Sequence, residues 1–382
     1  MSGHDEAPRG AARGPRVLLT ADTVGGVFAY AAELCAALAQ RGCAVALATQ
    51  GRPLSADQRA ELARVPGLEV HEGTGKLEWM QDPWDDVARE GERLLSIARR
   101  FRPDVVHLNG YAHGALPFGV PKVVVAHSCV LSWFEAVRHA PAPPSFDRYR
   151  LEVRRGLDGA DAVVAPTRAM LRALERHHGK VRRGLVIANG RAPERYPPRP
   201  KEPFVLCAAR LWDEAKGAAT LDAAAGRLAW PVLLAGDEMS PDLAHPGASA
   251  PRHARPLGRL APDALAVWYG RASIYALPAR YEPFGLSALE AALAGCALVL
   301  GDVPSLREVW LGAAAFVPPG DVEALASTLA GIVHDAPARA ELGRQARRRA
   351  LLFGRERMAE RYLATYGGLL ARAEEGAVPC AS

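Results

Sequence analysis

Along almost the whole chain short apolar runs alternate with amphipathic stretches, and the alternation falls into two series separated by a proline-rich segment. A run that is apolar without interruption has no polar face for water. It must be buried on both sides, and strands of that kind belong to parallel sheets covered by helices. The first series opens with a strand at Arg16–Thr20, a loop Ala21–Gly26, and a helix from Val27 to Arg41 whose Val27, Ala31, Leu34 and Leu38 form one apolar stripe. Further strands are expected at Ala44–Thr49, Leu68–His71, Asp104–Leu108, Lys122–Ala126, Ala162–Ala165 and Gly184–Ile187. The second series has strands at Phe204–Ala208, Val232–Ala235, Ser273–Leu277, Ala297–Leu300 and Ala315–Val317. Between the two lies Arg191–Pro203, whose five prolines are expected inside neither a helix nor a central strand, so it reads as the linker.

The fold class is therefore α/β, with two Rossmann-like parallel-sheet domains. At 382 residues the chain exceeds a usual single domain, and its 49% apolar content is ample for two cores. A net charge of +5, spread along the chain, suits anionic small molecules or a membrane surface better than a nucleic-acid groove. The six cysteines show neither Cys-x-x-Cys spacing nor pairing with His, and read as buried thiols in a reducing, cytoplasmic compartment. Residues 1–15 lack the apolar core of a signal peptide and are expected to be a disordered leader. No stretch reaches the ~18 apolar residues of a membrane span.

Ligands of open α/β sheets bind beyond the carboxyl ends of the strands, so the turns there are where chemistry is sought. The most informative is Arg280-Tyr-Glu-Pro-Phe-Gly-Leu-Ser-Ala-Leu-Glu290, continuing to Cys296. Pro278 ends the preceding strand, and from about Gly285 the residues Leu286, Leu289, Ala292 and Leu293 recur at helical spacing. Gly285 and Leu286 thus sit at a helix N-terminus, whose free amides and dipole favour a diphosphate. Glu282 precedes the helix and Glu290 lies inside it, roughly 8–12 Å apart at 1.5 Å per residue, far enough to grip two ends of one extended ligand. Two isolated glutamates near a helix start would otherwise be unremarkable, since the dipole alone favours them.

Other turns carry further candidates. Gly25 and Gly26 follow the first strand, where paired glycines admit a ligand close to the backbone; a plain tight turn explains them equally well. Arg210 and Lys216, six residues apart after Phe204–Ala208, offer a fork and a point charge to a diphosphate. His127 ends the strand Lys122–Ala126 and faces the expected cleft; a lone histidine is otherwise a structural residue. His107 and Asn109 end the strand before it and either face the same cleft or serve the structure. His177-His178 reads as a helix terminus whose cations complement the dipole. The segment from Ser128 to Pro144, with Trp133 and Phe134, is either a wall for a sugar or apolar aglycone or packing at the interdomain seam. No Asp-x-Asp follows a strand, so no metal site is read; no Gly-x-Gly-x-x-Gly or Gly-x-Ser-x-Gly is present either.

Glu282-Pro-Phe-Gly-Leu286, followed by Leu289-Glu290-Ala and Ala294-Gly-Cys296, resembles the signature of the large retaining glycosyltransferase family 4, of the two-domain GT-B architecture. The resemblance implies that residues 16–195 bind the acceptor and residues 196–354 bind a nucleoside diphosphate sugar, with a terminal helix of about 355–372 crossing back onto the first domain. It implies Arg210 and Lys216 at the diphosphate, with Gly25 and Gly26 helping to cradle the donor phosphate and Gly285 and Leu286 presenting the helix N-terminus to it, His127 and Glu282 at the donor sugar, and Glu290 at the far end of the donor. Glycan, lipid or small-molecule acceptors are all compatible, as is peripheral contact with a membrane. No cofactor beyond the donor substrate is implied, and the departing diphosphate itself helps deprotonate the acceptor. Two departures stand out: the Arg210–Lys216 loop is one residue longer than the common form, and only Glu308 matches in Asp302-Val-Pro-Ser-Leu-Arg-Glu308. An epimerase or phosphorylase of the same architecture, or a nucleotide-sugar-binding protein without turnover, are the alternatives.

Overall fold

The computed structural model describes residues 14–240, 242 and 250–377. The expected leader therefore lies, through residue 13, outside the described residues, as does Cys380. Seven strands form the first sheet: β1 (Arg16–Asp22), β2 (Ala44–Gln50), β3 (Glu69–His71), β4 (Val105–Leu108), β5 (Lys122–Val125), β6 (Ala162–Ala165) and β7 (Gly184–Val186). Six form the second: β8 (Glu202–Ala208), β9 (Val232–Ala235), β10 (Arg255–Gly258), β11 (Ala272–Leu277), β12 (Ala297–Gly301) and β13 (Ala315–Val317). The orders are β3-β2-β1-β4-β5-β6-β7 and β10-β9-β8-β11-β12-β13, every pairing parallel. In each sheet the order reverses once, between β1 and β4 and between β8 and β11. Those two switch points are where crevices open.

The uninterrupted apolar runs are buried on both faces, as parallel strands require. In the first domain one face packs on the helix Gly26–Ala39 and the other on the helix Trp84–Phe101. The terminal helix, Arg355–Ala377, does cross back: Met358, Tyr362, Tyr366 and Leu369 join the core beside helix Gly26–Ala39. It is pinned there by His107, buried at the end of β4, whose Nδ1 lies 2.6 Å from the Tyr366 hydroxyl. His107 is thus a structural residue.

Three sequence expectations need correction. Pro203 lies within β8, a central strand, where a bulge in the β8–β11 register between Ala272 and Ile274 makes room for a residue that cannot donate. The strand β10 was not expected, because Arg255 and Pro256 break the apolar pattern; as an edge strand it tolerates both. His178 is no surface cation. It is buried against Tyr149 and the Cys129 thiol, and burial pulls its pKa down to about 4, so the ring is neutral. The five cysteines among the described residues, Cys35, Cys43, Cys129, Cys207 and Cys296, are free and buried.

Candidate active site

A cavity of about 650 Å³ lies between the two switch points and takes its walls from both domains. Gly25, Gly26, His127, Arg210, Lys216, Glu282, Gly285, Leu286 and Glu290 all line it, as does Asn109, whereas His107 does not. Gly25 adopts φ +92°, which its lack of a Cβ permits, and a Cβ there would stand 3.4 Å from Arg210 Cδ across the cleft. A Cβ on Gly26 would meet Leu286 Cδ1 at 3.5 Å. The glycine turn of one domain thus closes directly on the cation and helix N-terminus of the other.

On the second-domain side the loop after β8 is organised by Asp213. Its Oδ2 accepts from Arg210 Nη2 (2.8 Å), and its Oδ1 from the Ala215 amide (3.1 Å) and from Trp133 Nε1 of the first domain (3.0 Å). Burial works to raise the Asp213 carboxyl, but Arg210 and Lys216 outweigh it and hold the group below its ordinary range. Lys216 Nζ donates to Glu282 Oε2 at 3.0 Å, while Glu282 Oε1 accepts the Gly285 amide at 2.9 Å. Burial pushes the Glu282 carboxyl up; Lys216 and the two amides of Phe284 and Gly285 pull it below its usual value, so it stays charged. Gly285 stands at φ +88° as the cap of helix Leu286–Leu293. The preceding loop is tied to the first domain, since the Tyr281 hydroxyl accepts the Cys129 amide (3.0 Å) and Pro283 O accepts from Thr167 Oγ1 (3.0 Å).

On the first-domain side His127 Nε2 lies 2.8 Å from Asn109 Oδ1. The Asn109 amide nitrogen donates to Thr20 O, which orients its oxygen as the acceptor and makes His127 Nε2 the donor. Burial lowers the His127 pKa to about 3, so the ring is neutral and Nδ1 is left as an acceptor. Trp133 and Phe134 pack edge to face at 5.2 Å, and Phe134 on Phe146 at 5.3 Å; all three line the cavity. This segment is both seam and wall: the Trp133 nitrogen is engaged across the domains while its ring bounds the cavity.

Sequence reasoning missed several residues. Asp22 ends β1 at the switch point and lines the cavity; burial raises its pKa to about 7 against the opposing Val24 amide and Arg210. Its position at a strand end was the available signal. Arg191, read as the first linker residue, is 3% exposed and lies 2.6 Å from Glu290 Oε1. Trp212, in the loop after β8, stacks on Trp79 of the first domain at 6.4 Å. Glu308, the one family match in its loop, is not among the residues lining the cavity. It accepts the Arg168 and Ala169 amides (2.8 and 2.9 Å) at the start of a first-domain helix. Among the described residues no group of three or more His, Cys, Asp or Glu side chains is placed to hold a metal, and no helix is long and apolar enough to cross a membrane.

Comparison with known proteins agrees with this geometry in both halves. The model described as Glycosyltransferase Family 4 matches residues 24–195, and that described as Glycosyl transferases group 1 matches residues 202–335. Glycogen synthase of Mycobacterium tuberculosis (strain H37Rv) is 30% identical over 329 residues, covering 77% of each chain. D-inositol 3-phosphate glycosyltransferase of Kribbella flavida is 37% identical over 117 residues, 30% of this chain and 27% of that one. Sucrose-phosphate synthase of Thermosynechococcus elongatus superimposes with a TM-score of 0.76 at 20% identity, over 94% of this chain and all of that one. Anabaena HepE, solved with UDP-glucose, gives 0.74 at 18% identity over 93% of this chain and all of that one. Two matched halves, a GT-B fold and a relative aligned along most of the chain show that this protein belongs to glycosyltransferase family 4, enzymes that take a sugar from a nucleotide sugar.

Proposed function

We propose that the protein transfers a sugar from a nucleoside diphosphate sugar to an acceptor hydroxyl with retention at the anomeric carbon and without a metal. The supporting observation is the convergence of Arg210, the Lys216–Glu282 pair and Glu290 on one cavity, opposite Gly25, Gly26 and neutral His127. In this reading Arg210, Lys216 and the amides at Gly285 and Leu286 take up the charge that develops on the departing diphosphate. Glu290 accepts from the ribose hydroxyls, Glu282 touches the donor sugar, and His127 Nδ1 accepts from a sugar hydroxyl. Since Glu282 and Glu290 are committed to the donor, the diphosphate oxygen takes the acceptor proton on the face where the new bond forms. Catalysis then rests on positioning and charge stabilisation.

The donor base proposed first is uracil, because HepE, which shares the fold, was solved with UDP and with UDP-glucose. The acceptor, a glycan, lipid or small molecule, lies against Trp133, Phe134 and Phe146 in the first domain, and the reaction takes place in the cytoplasm. A thermal-shift screen against UDP-, ADP-, GDP- and TDP-sugars tests the donor: a specific ligand at 100 times its Kd adds ~2.7 kcal/mol of stability. Absence of a shift with all four would sink the donor reading. Incubation with donor alone separates transfer from its runner-up, since an epimerised sugar in the absence of acceptor points to an epimerase.

A further inference from the structure

Arg191 stands where the two connections between the domains touch. Its backbone N–H donates to Phe353 O (3.0 Å) and its carbonyl accepts the Arg355 amide (3.1 Å), so the outgoing linker and the returning chain are joined at this residue. From that crossing its guanidinium reaches in two directions. Nη2 lies 2.6 Å from Glu290 Oε1 in the second domain, and Nη1 donates to Ala29 O (2.7 Å) in the helix that begins at Gly26. Glu33, on the same helix, stands 3.9 Å from Nη1 and is itself 2% exposed. Burial works against the guanidinium's charge, but Glu290 and Glu33 among its neighbours more than offset it.

A charge held this deep is costly unless its partners are fixed, and apolar residues of equal volume would stabilise a purely structural crossing at least as well. The arrangement makes sense if the carboxylate it holds has a task. A carboxylate offers about four acceptor directions on two oxygens; Arg191 engages Oε1, the Tyr269 hydroxyl stands beside the group, and the carboxylate still lines the cavity where a ligand can reach it. Resting on the reading that Glu290 binds the donor ribose, we infer that Arg191 is a positioning residue that sets the Glu290 carboxylate for the ribose diol and ties that grip to the seam between the domains. Lysine cannot do both tasks, because the two contacts leave from different nitrogens of one rigid plane.

The test compares UDP with 2′,3′-dideoxy-UDP, and ADP with its dideoxy analogue, by isothermal titration calorimetry on the full-length protein. Wild type is expected to prefer the ribo form by about tenfold or more, the worth of hydrogen bonds to a charged group. In Arg191→Met the preference should fall to within about twofold while affinity for the dideoxy nucleotide holds, and Arg191→Lys should restore part of it. A variant that keeps the wild-type preference, or that loses affinity for both nucleotides alike, overturns the inference. Glu290→Ala separates the two layers of the argument. If it keeps the preference, the ribose reading of Glu290 fails; if it loses the preference while Arg191→Met keeps it, only the role of Arg191 fails. Should Arg191→Met not fold because buried Glu33 is left with only Arg195 (3.5 Å) and Arg355 (3.6 Å) as cations, Arg191→Met with Glu33→Gln carries the same comparison.

Discussion

Lys216 and Glu282 are bonded to each other, Nζ to Oε2 at 3.0 Å, within the cavity wall. They therefore act as one buried pair and not as two separate ligand contacts. Lys216→Ala should cost on the order of 2–4 kcal/mol in kcat/KM, as for loss of one preorganised donor to a developing charge. Glu282→Gln should lower kcat more than it raises donor KM, since misplacing reacting atoms by about an ångström costs ~100-fold. The double variant should fall short of the sum by roughly 0.5–3 kcal/mol. Additivity within experimental error in a double-mutant cycle would show the pair to be functionally uncoupled.

Glu290 should fail in the opposite way. The ribose does not change as the glycosidic bond breaks, so Glu290→Ala removes binding shared by ground and transition states. Donor KM rises by the equivalent of roughly 1.5–3 kcal/mol while kcat holds. Steady-state kinetics giving a fall in kcat at constant KM would assign Glu290 to the chemistry.

Turnover should survive chelation. Neutralising the diphosphate falls to Arg210, Lys216 and the helix N-terminus at Gly285, through charge-assisted hydrogen bonds. Activity lost in EDTA and restored only by Mn²⁺ or Mg²⁺ would contradict this.

Stability should respond to pH through two buried groups of opposite sign. Burial lowers the His107 pKa to about 3, so between pH 6.5 and 3 the unfolded chain binds a proton that the native state refuses. Its contribution is present above about pH 6.5 and is lost as pH falls. Asp22, raised to about 7, holds its proton in the native state, so its stabilising contribution fades as pH rises from about 4 towards 7. Asp22→Asn should thus gain on wild type between pH 4 and 8, by no more than about 4 kcal/mol, and His107→Gln should lose less than wild type between pH 7 and 5. Equal pH slopes in urea unfolding of all three proteins would refute both assignments.

All the strands but β10 were legible because parallel strands carry no polar face and the pattern survives in one dimension, whereas the return of the terminal helix was implied by the family resemblance. What escaped was set by packing between distant segments. Nothing local distinguishes Arg191 from any residue opening a proline-rich linker; only the return of Phe353–Arg355 makes it interior. His177-His178 reads as a charged helix end because the sequence does not show Cys129 and Tyr149 closing over the second ring. Glu308 matches a family position yet caps a first-domain helix, an outcome fixed by how the two domains meet. Asp22 was findable from strand polarity and the switch-point rule, whereas its raised pKa depends on burial that no spacing records.

The terminal helix puts the order of synthesis and the order of completion at odds. The first domain emerges from the ribosome before the second, yet its core lacks Met358, Tyr362, Tyr366 and Leu369 until the second domain has been made. His107 likewise waits for its Tyr366 partner across 259 positions of chain. Domains generally fold as units in the order they are made. Here the second domain has all its strands in hand before the first can close, so the nascent first domain must wait with one apolar flank uncovered while the second is made.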